Sequence, residues 1–431
     1  MHKRNCGFPN SSQHYRAPLN ALLILALGIF SGSADWKQFR GPQGLGISDA
    51  KGLPTEWNHE TNVLWKTPLP GAGTSSPVTI GEKLFLTTYS GFNVPGEENG
   101  AMDQLQLGVV CLDKRTGDIL WNTTTKPKLP EQERIRENHG YASNTPVVDQ
   151  NQLYVFFGKS GVLAYDHSGE VQWQAEVGSG LSGWGSGASL VLHKNLLIVN
   201  ASVESQCLIA LDKTTGREVW RTPEINEAWN TPALVPLPNG QTELVISMPK
   251  KMIGLDPESG EELWRCQHDI RWYIAPSMVF DKGIIWCLGG RSGTASVAVR
   301  AGGRGDVTET HKLWSTNKGS NVTSPVYHDG HLYWMHENIG MAYCADAMTG
   351  ELVYEERINR AGQIYGSCLL ADGRLHYISR RGITYVLPAE PHFEVLSTNS
   401  LRDGSQFNAT PIADDNRIYV RSDTFLYCIG R

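Results

Sequence analysis

Short β-branched and aromatic runs alternate with Gly- and Asp-bearing turns along nearly the whole chain, and the runs come in sets of four. In the clearest set, Pro146-Val147-Val148 opens a first run and Leu153 to Gly158 forms a second; Val162 to Asp166 and Val171 to Val177 complete it. Runs of this length between turn residues predict strands, not helices. A small or polar cluster precedes the first run of each set. These clusters are Thr74-Ser75-Ser76-Pro77, Asn144-Thr145-Pro146, Gly185-Ser186-Gly187-Ala188, Asn230-Thr231-Pro232, Ile274-Ala275-Pro276, Thr323-Ser324-Pro325, Tyr365-Gly366-Ser367-Cys368 and Asn408-Ala409-Thr410-Pro411. With Pro77, Pro146, Ala188, Pro232, Pro276, Pro325, Cys368 and Pro411 taken as equivalent, the steps are 69, 42, 44, 44, 49, 43 and 43 residues. That period, filled with short strands, predicts an all-β fold: an eight-bladed β-propeller of four-stranded blades.

The turn before the fourth run recurs as Asp113 to Gly117, Asp212 to Gly216, Asp256 to Gly260, Asp346 to Gly350 and a shorter Asp166 to Gly169. Asp bonds to amides ahead of it and Gly supplies the positive φ that closes a bulged hairpin, so these acids are read as turn-makers. Four residues beyond each Gly stands an aromatic: Trp121, Trp173, Trp220, Trp264 and Tyr354. Trp65, Trp314 and Phe393 are assigned to the matching outer-strand positions of the other blades. Such rings are expected to dock one blade on the next. The chain ends on a third-strand pattern, Thr424 to Ile429, while Val63 to Thr67 is an outer strand ahead of any inner one. The N-terminal strand should therefore complete the last blade and seal the ring, with Trp36 to Arg40 packed just outside the seam.

Composition narrows the setting. Lys3, Arg4 and Arg16, an apolar stretch from Ala21 to Phe30, and Gly32-Ser33-Ala34 together read as an export signal over residues 1–34. Residues 35–431 are then one propeller domain, periplasmic or extracellular and expected to be monomeric. The apolar stretch is too short for a membrane span. The formal charge of −6 argues against a nucleic-acid partner. Cys111, Cys344 and Cys428 occupy equivalent blade positions, too far apart to bridge, and read as small buried hydrophobes. A Cys266–Cys287 bridge is left open.

The Asp-x-x-Thr-Gly-x-x-x-Trp pattern, the eightfold count and the N-terminal closure resemble the pyrroloquinoline-quinone-like (PQQ-like) propeller repeat over residues 36–431. One branch of that superfamily, the quinoprotein alcohol dehydrogenases, implies a quinone in the central funnel above a calcium or lanthanide held by Glu, Asn and Asp, often with a disulfide between adjacent cysteines. This sequence has no adjacent Cys pair and no acidic metal cluster on the funnel-facing segments. The compact, exported, non-enzymatic branch, similar to the propeller of the outer-membrane β-barrel assembly machinery, fits the length better. Its members carry a lipid on a Cys directly after the cleavage site. Here Asp35 follows Ala34 and Cys6 precedes the apolar stretch, so no lipid anchor is expected.

Inner-strand starts converge on a propeller's axis, and the residues just before them are rich in rings and amides. His139, Tyr141, Asn144, Trp184, Trp229, Asn230, Tyr273, Asn321, Tyr365 and Asn408 are the ligand-binding candidates, with Trp272 beside them. Rings beside amides suit a polar planar ligand, a sugar or a peptide strand, or else they fill the channel and satisfy turns. Arg291 and Arg304 are added from two Gly-rich loops of the fifth blade, where guanidinium groups can fork to an anion or brace the loop. Insertions from Ser90 to Gln106 and Glu131 to Glu137 offer a lid or a partner contact. No nucleophile elbow, paired-His metal motif or triad is present. The expectation is a non-catalytic module without cofactor or metal, binding a protein or a small polar ligand. The alternatives are a PQQ-dependent oxidoreductase working in the funnel, and carbohydrate binding.

Overall fold

The structure, a computed structural model, describes residues 35–135, 139–291 and 293–431 together with Met1, His2 and Gly7; the export signal lies outside the described residues apart from those three. Eight four-stranded antiparallel blades follow one another along the chain. Val63–Pro68 pairs antiparallel with Phe425–Ile429, Trp65 opposite Cys428, so the first outer strand completes the last blade. Two blades gain a short fifth strand: Ile47–Ser48 runs parallel to Leu369–Ala371, and Gly305–Asp306 runs parallel to Glu262–Gln267.

The innermost strands are linked by a relay of hydroxyl groups. The backbone N–H of Ser76 donates to Thr145 Oγ1 (2.9 Å), Thr145 to Ser189, Ser189 to Thr231, Thr231 to Ser277, Ser277 to Ser324, Ser324 to Ser367, and Ser367 to Thr410. Those amides face the next blade instead of water, and the hydroxyls satisfy them. The relay corrects the repeat register. Ser189 and Ser277 hold the positions of Ser76 and Thr145, so the equivalents of Pro77 are Leu190 and Met278, not Ala188 and Pro276. The spacings become 69, 44, 42, 46, 47, 43 and 43. Gly187-Ala188 and Ala275-Pro276 mimic the motif, but they lack the hydroxyl that makes the bond.

The outer layer is clamped by rings. Trp65, Trp121, Trp173, Trp220 and Trp314 each lie flat against the turn glycine of the following blade: a Cβ on Gly117, Gly169, Gly216, Gly260 or Gly350 would fall within 2.5–2.9 Å of the indole. Each of these glycines has positive φ, so Gly serves both the turn and the close approach. Trp121, Trp173, Trp220 and Trp314 also donate Nε1 to a carbonyl of that next turn at 3.0–3.2 Å. The turn acids act as read: Asp113 Oδ1 accepts the amides of Arg115 and Thr116 at 2.9 and 2.8 Å, and those amides hold its carboxyl below the usual range.

Two rings depart from this scheme. Trp264 meets no Asp–Gly turn in the fifth blade; fully buried, it lies over Gly254 of its own blade and donates Nε1 to Glu243 at 2.7 Å. Phe393 lies in the loop before the outer strand Ser397–Ser400, and it packs back on Tyr354 of the preceding blade with ring centres 5.8 Å apart. All seven cysteines among the described residues are buried and free, Cys266 and Cys287 included.

The segment after Asp35 does not stay outside the seam. It crosses the end of the channel where the inner strands finish. Thr79 N–H donates to Trp36 O and Val148 N–H to Lys37 O, both at 2.9 Å, and the buried Arg40 reaches Pro325 O on the far side. Leu370 N–H then donates to Gly46 O, and Ser48 Oγ donates to Ala413 O. The segment's backbone finds partners on blades 1, 2 and 7, and its Arg40 and Ser48 side chains find them on blades 6 and 8, which a peripheral position would not supply.

Replacing the buried Trp220 by Ala should cost about 3–5 kcal/mol in chemical denaturation. The control Leu120→Ala, at a half-exposed outer-strand side chain two blades away, should stay within about 0.5 kcal/mol. Equal losses in the two variants would contradict ring docking as the outer clamp.

Candidate functional site

Because the hydroxyl relay holds eight inner strands around one axis, it encloses a central well of about 150 Å³. Its wall includes the eight Ser and Thr side chains of the relay, and Phe39 from the crossing N-terminal segment also lines it. The loops entering blades 2 to 5 supply an arc of half-buried rings. Trp184 lies 5.2 Å from Tyr273, Tyr273 lies 5.4 Å from Trp229, and His139 stands edge-on to Trp184 at 6.5 Å. Trp229 Nε1 donates to Gly185 O at 2.9 Å, which ties two of these loops together. The guanidinium of Arg291 sits 5.0 Å from the Trp184 ring at the rim. Trp272, beside Tyr273, is 53% exposed with φ 68°, a strained conformation for a bulky residue.

The arc entering blades 6 to 8 is polar: Asn321, Tyr365 and Asn408 complete the wall. Arg380 lies 5.2 Å from the Tyr365 ring and is fixed by Asn408 Oδ1 at 3.0 Å, Gln363 Oε1 at 2.8 Å and Gln406 Oε1. Behind it, burial pushes Asp423 up to about 6, opposed by Arg421 and Arg380.

Seven of the twelve candidates therefore line the well: His139, Trp184, Trp229, Tyr273, Asn321, Tyr365 and Asn408, with Arg291 on its rim. Four lie elsewhere. Tyr141 points into the first-blade insertions and donates to Gln132 O at 2.6 Å, where Asn93 Nδ2 also meets its hydroxyl. Asn144 donates to Ala188 O at 2.6 Å, and Asn230 donates to Ser247 O and Ile274 O at 2.7 and 3.2 Å, so both amides are spent on joining blades. Arg304 sits at the outer edge, paired with the buried Glu243 at 3.2 Å; Asp306 instead accepts the Thr308 amide. Sequence reasoning passed over Phe39, Arg380 and the relay itself. Only the relay left a signal, a Ser or Thr directly ahead of every inner strand.

The well holds no nucleophile–base pair among the described residues. Ser143 Oγ donates to the carbonyl of His139 at 2.6 Å, not to its ring. A Ser247–His268 contact of 3.1 Å exists, but both residues are buried, and burial lowers His268 to about 4. Nor does the well line itself with carboxylate: its described wall carries one imidazole and no Asp, Glu or Cys. The Glu–Asn–Asp donor set implied for a quinone-associated calcium is not assembled there, so these residues do not fit that group.

These features define an eight-bladed propeller whose central well is aromatic on one side and amide-bearing on the other. The sequence matches the PQQ-like repeat family described as outer membrane protein assembly factor BamB over residues 45–180 and 108–356, and the chain belongs to that family. Similar solved structures include BamB from Moraxella catarrhalis, with TM-score 0.58 and 14% identity over 86% of this chain and 97% of that one. Quinohemoprotein alcohol dehydrogenase from Comamonas testosteroni gives 0.65 and 12% over 92% and 80%, and Saccharomyces cerevisiae Sqt1 gives 0.61 and 9% over 86% and 99%. At such identities the likeness is one of fold. No curated protein matches the sequence.

Thr231→Val should strand the buried Ser189 amide and cost about 1–3 kcal/mol in urea unfolding. Ser76→Ala should cost about 0.5 kcal/mol or less, because Ser76 Oγ has no partner at the seam between blades 8 and 1. A larger loss for Ser76→Ala than for Thr231→Val would contradict the relay.

Proposed function

We propose that this protein is a non-catalytic binding propeller that holds a segment of a partner protein against the aromatic arc of its central well, and that it does so outside the cytoplasm with no quinone or metal in that well. The observation that carries the reading is the arc itself: Trp184 and Trp229, each packed on Tyr273 and half exposed, within a well that has no reacting pair among the described residues. Large rings with one polar edge are the side chains on which protein contacts concentrate. Trp272 extends the arc onto the rim, and strain of that kind gathers at sites of recognition. The absence of carboxylate from the described wall, with Arg291 and Arg380 near the mouth, favours a segment bearing carbonyl or acidic groups over a basic one. Family membership supports the same reading, since the family takes its description from an assembly factor. No helix among the described residues is long and apolar enough to cross a membrane.

A photo-crosslinking residue placed at Trp229 in the exporting cell should trap one discrete partner, and the adduct should be lost with Trp184→Ala. The same probe at Leu120, on the outer strand, should trap none. Equal trapping at 229 and 120 would count against the well. Titration with pyrroloquinoline quinone and calcium should give no saturable change in the quinone spectrum; stoichiometric binding with dye reduction would replace this reading by the oxidoreductase one.

A further inference from the structure

Behind the Trp184 side of the well lies a second, smaller pocket of about 40 Å³, enclosed by parts of the first three blades and their loops. The loop 182–187 is a shared partition. Trp184 and Gly187 face the well, whereas Ser182, Gly185 and Ser186 face the pocket. Into this pocket projects Glu204, 4% exposed, and neither of its carboxylate oxygens meets a hydrogen-bond partner among the described residues. Burial lifts its carboxyl to about 7, and the charge of Glu131, on the same pocket wall, adds to that rise. Glu204's own amide and then the Ser186 hydroxyl come close enough to oppose the rise, but neither meets the carboxylate at hydrogen-bond geometry.

A buried carboxylate with both oxygens bare is costly unless something cationic meets it. Lys159 lines the same pocket, but its ammonium donates to Pro130 O. Glu131 accepts a long hydrogen bond of 3.3 Å from Ser160 Oγ, and the amide of Gln132 also approaches its carboxylate. Gly158, with φ 52°, keeps the approach clear: a Cβ there would stand 3.1 Å from Glu204 Oε1. The side-chain donors are oxygens, from two carboxylates, the Ser182 and Ser186 hydroxyls and the Tyr141 phenol; His and Cys are missing from the described wall. An all-oxygen set selects hard cations over transition metals. The volume admits one ion with a water or two.

The geometry points to a calcium-type cation site in this pocket, with Glu204 as the central ligand, Glu131 as the second carboxylate, and serine hydroxyls and water completing the shell. The site lies outside the central well, and its assignment does not rest on what the well binds. With two carboxylates and Lys159 nearby, affinity falls in the weak range of about 10⁻⁴–10⁻³ M. Occupancy braces the 182–187 partition from behind and so fixes Trp184 at the edge of the aromatic arc.

Terbium, whose emission is sensitised by neighbouring indoles, probes the site in the purified full chain. Emission should saturate at one ion per chain, be displaced by millimolar calcium, weaken at least tenfold in Glu204→Gln and weaken severalfold in Glu131→Gln. Glu204→Gln should fold with a metal-free thermal midpoint at or above that of the parent, yet lose the rise in midpoint that calcium gives the parent. Emission that survives Glu204→Gln unchanged would overturn the assignment. So would displacement by methylammonium but not by calcium, or a calcium-induced rise of equal size in parent and variant.

Discussion

The N–H at the start of each inner strand lies at the innermost radius of the ring, where the neighbouring blade, not bulk water, must satisfy it. A Ser or Thr at the same position of the next blade accepts it, and seven such bonds run round the channel. Because each bond fixes the distance between two adjacent inner strands, the relay sets the radius of the channel. The width of the well and the placement of every loop that reaches it follow from that radius. Where the relay stops, between blades 8 and 1, other groups take over. Arg421 Nη1 donates to Ser75 O and Oγ at 2.8 and 2.6 Å, and the buried Lys114 pairs with Asp414 at 2.9 Å. At the innermost radius the closing seam is thus held by the Arg421 guanidinium where the other seams use hydroxyls, in addition to the paired strand Val63–Pro68. The Lys–Asp pair recurs between blades 2 and 3 as Lys213 and Asp149 at 2.8 Å.

The outer layer repeats the same logic at larger radius, where indoles press on turn glycines. With inner and outer edges both fixed, loops on the face of the ring are free to vary without loss of the fold. They have varied unevenly. Blades 2 to 5 contribute rings, and blades 6 to 8 contribute amides and an anchored arginine. That asymmetry turns a nearly symmetric frame into a well with a direction, one flank ring-bearing and the other polar. The N-terminal segment contributes from the other end by lining the well with Phe39, and the Glu204 pocket adds a charged chamber behind the partition that carries Trp184.

Chain order alone carried the architecture. The fourfold grouping of short strands, the Asp–Gly turns and the orphan strand at each terminus already specify eight blades and their closure, because each signal is local and recurs in phase. Two anchors, at Ala188 and Pro276, were misplaced by two residues, since a small-residue cluster imitates the motif and only the partner across the seam shows which residue bonds. Of the proposed ligand contacts, the rings other than Tyr141 and the outlying amides Asn321 and Asn408 reached the wall, while Asn144 and Asn230 were already taken by backbone carbonyls. Nothing in the sequence separates a free amide from a spent one, because the carbonyls that accept them lie some seventeen to forty-four residues away, on another strand or the next blade.

Three features were decided only by the tertiary structure. The path of Trp36 to Ser48 under the channel depends on carbonyls and amides left open at the ends of distant strands. Trp264 turned to Glu243 because the usual acceptor turn is missing from the next blade. The burial of Glu204 depends on what packs around it, from segments some twenty to a hundred residues away. Repetition in the sequence could specify the frame, because every blade solves the same packing problem with nearest neighbours. The site arises where blades that differ are brought face to face, and that meeting exists only once the ring has closed.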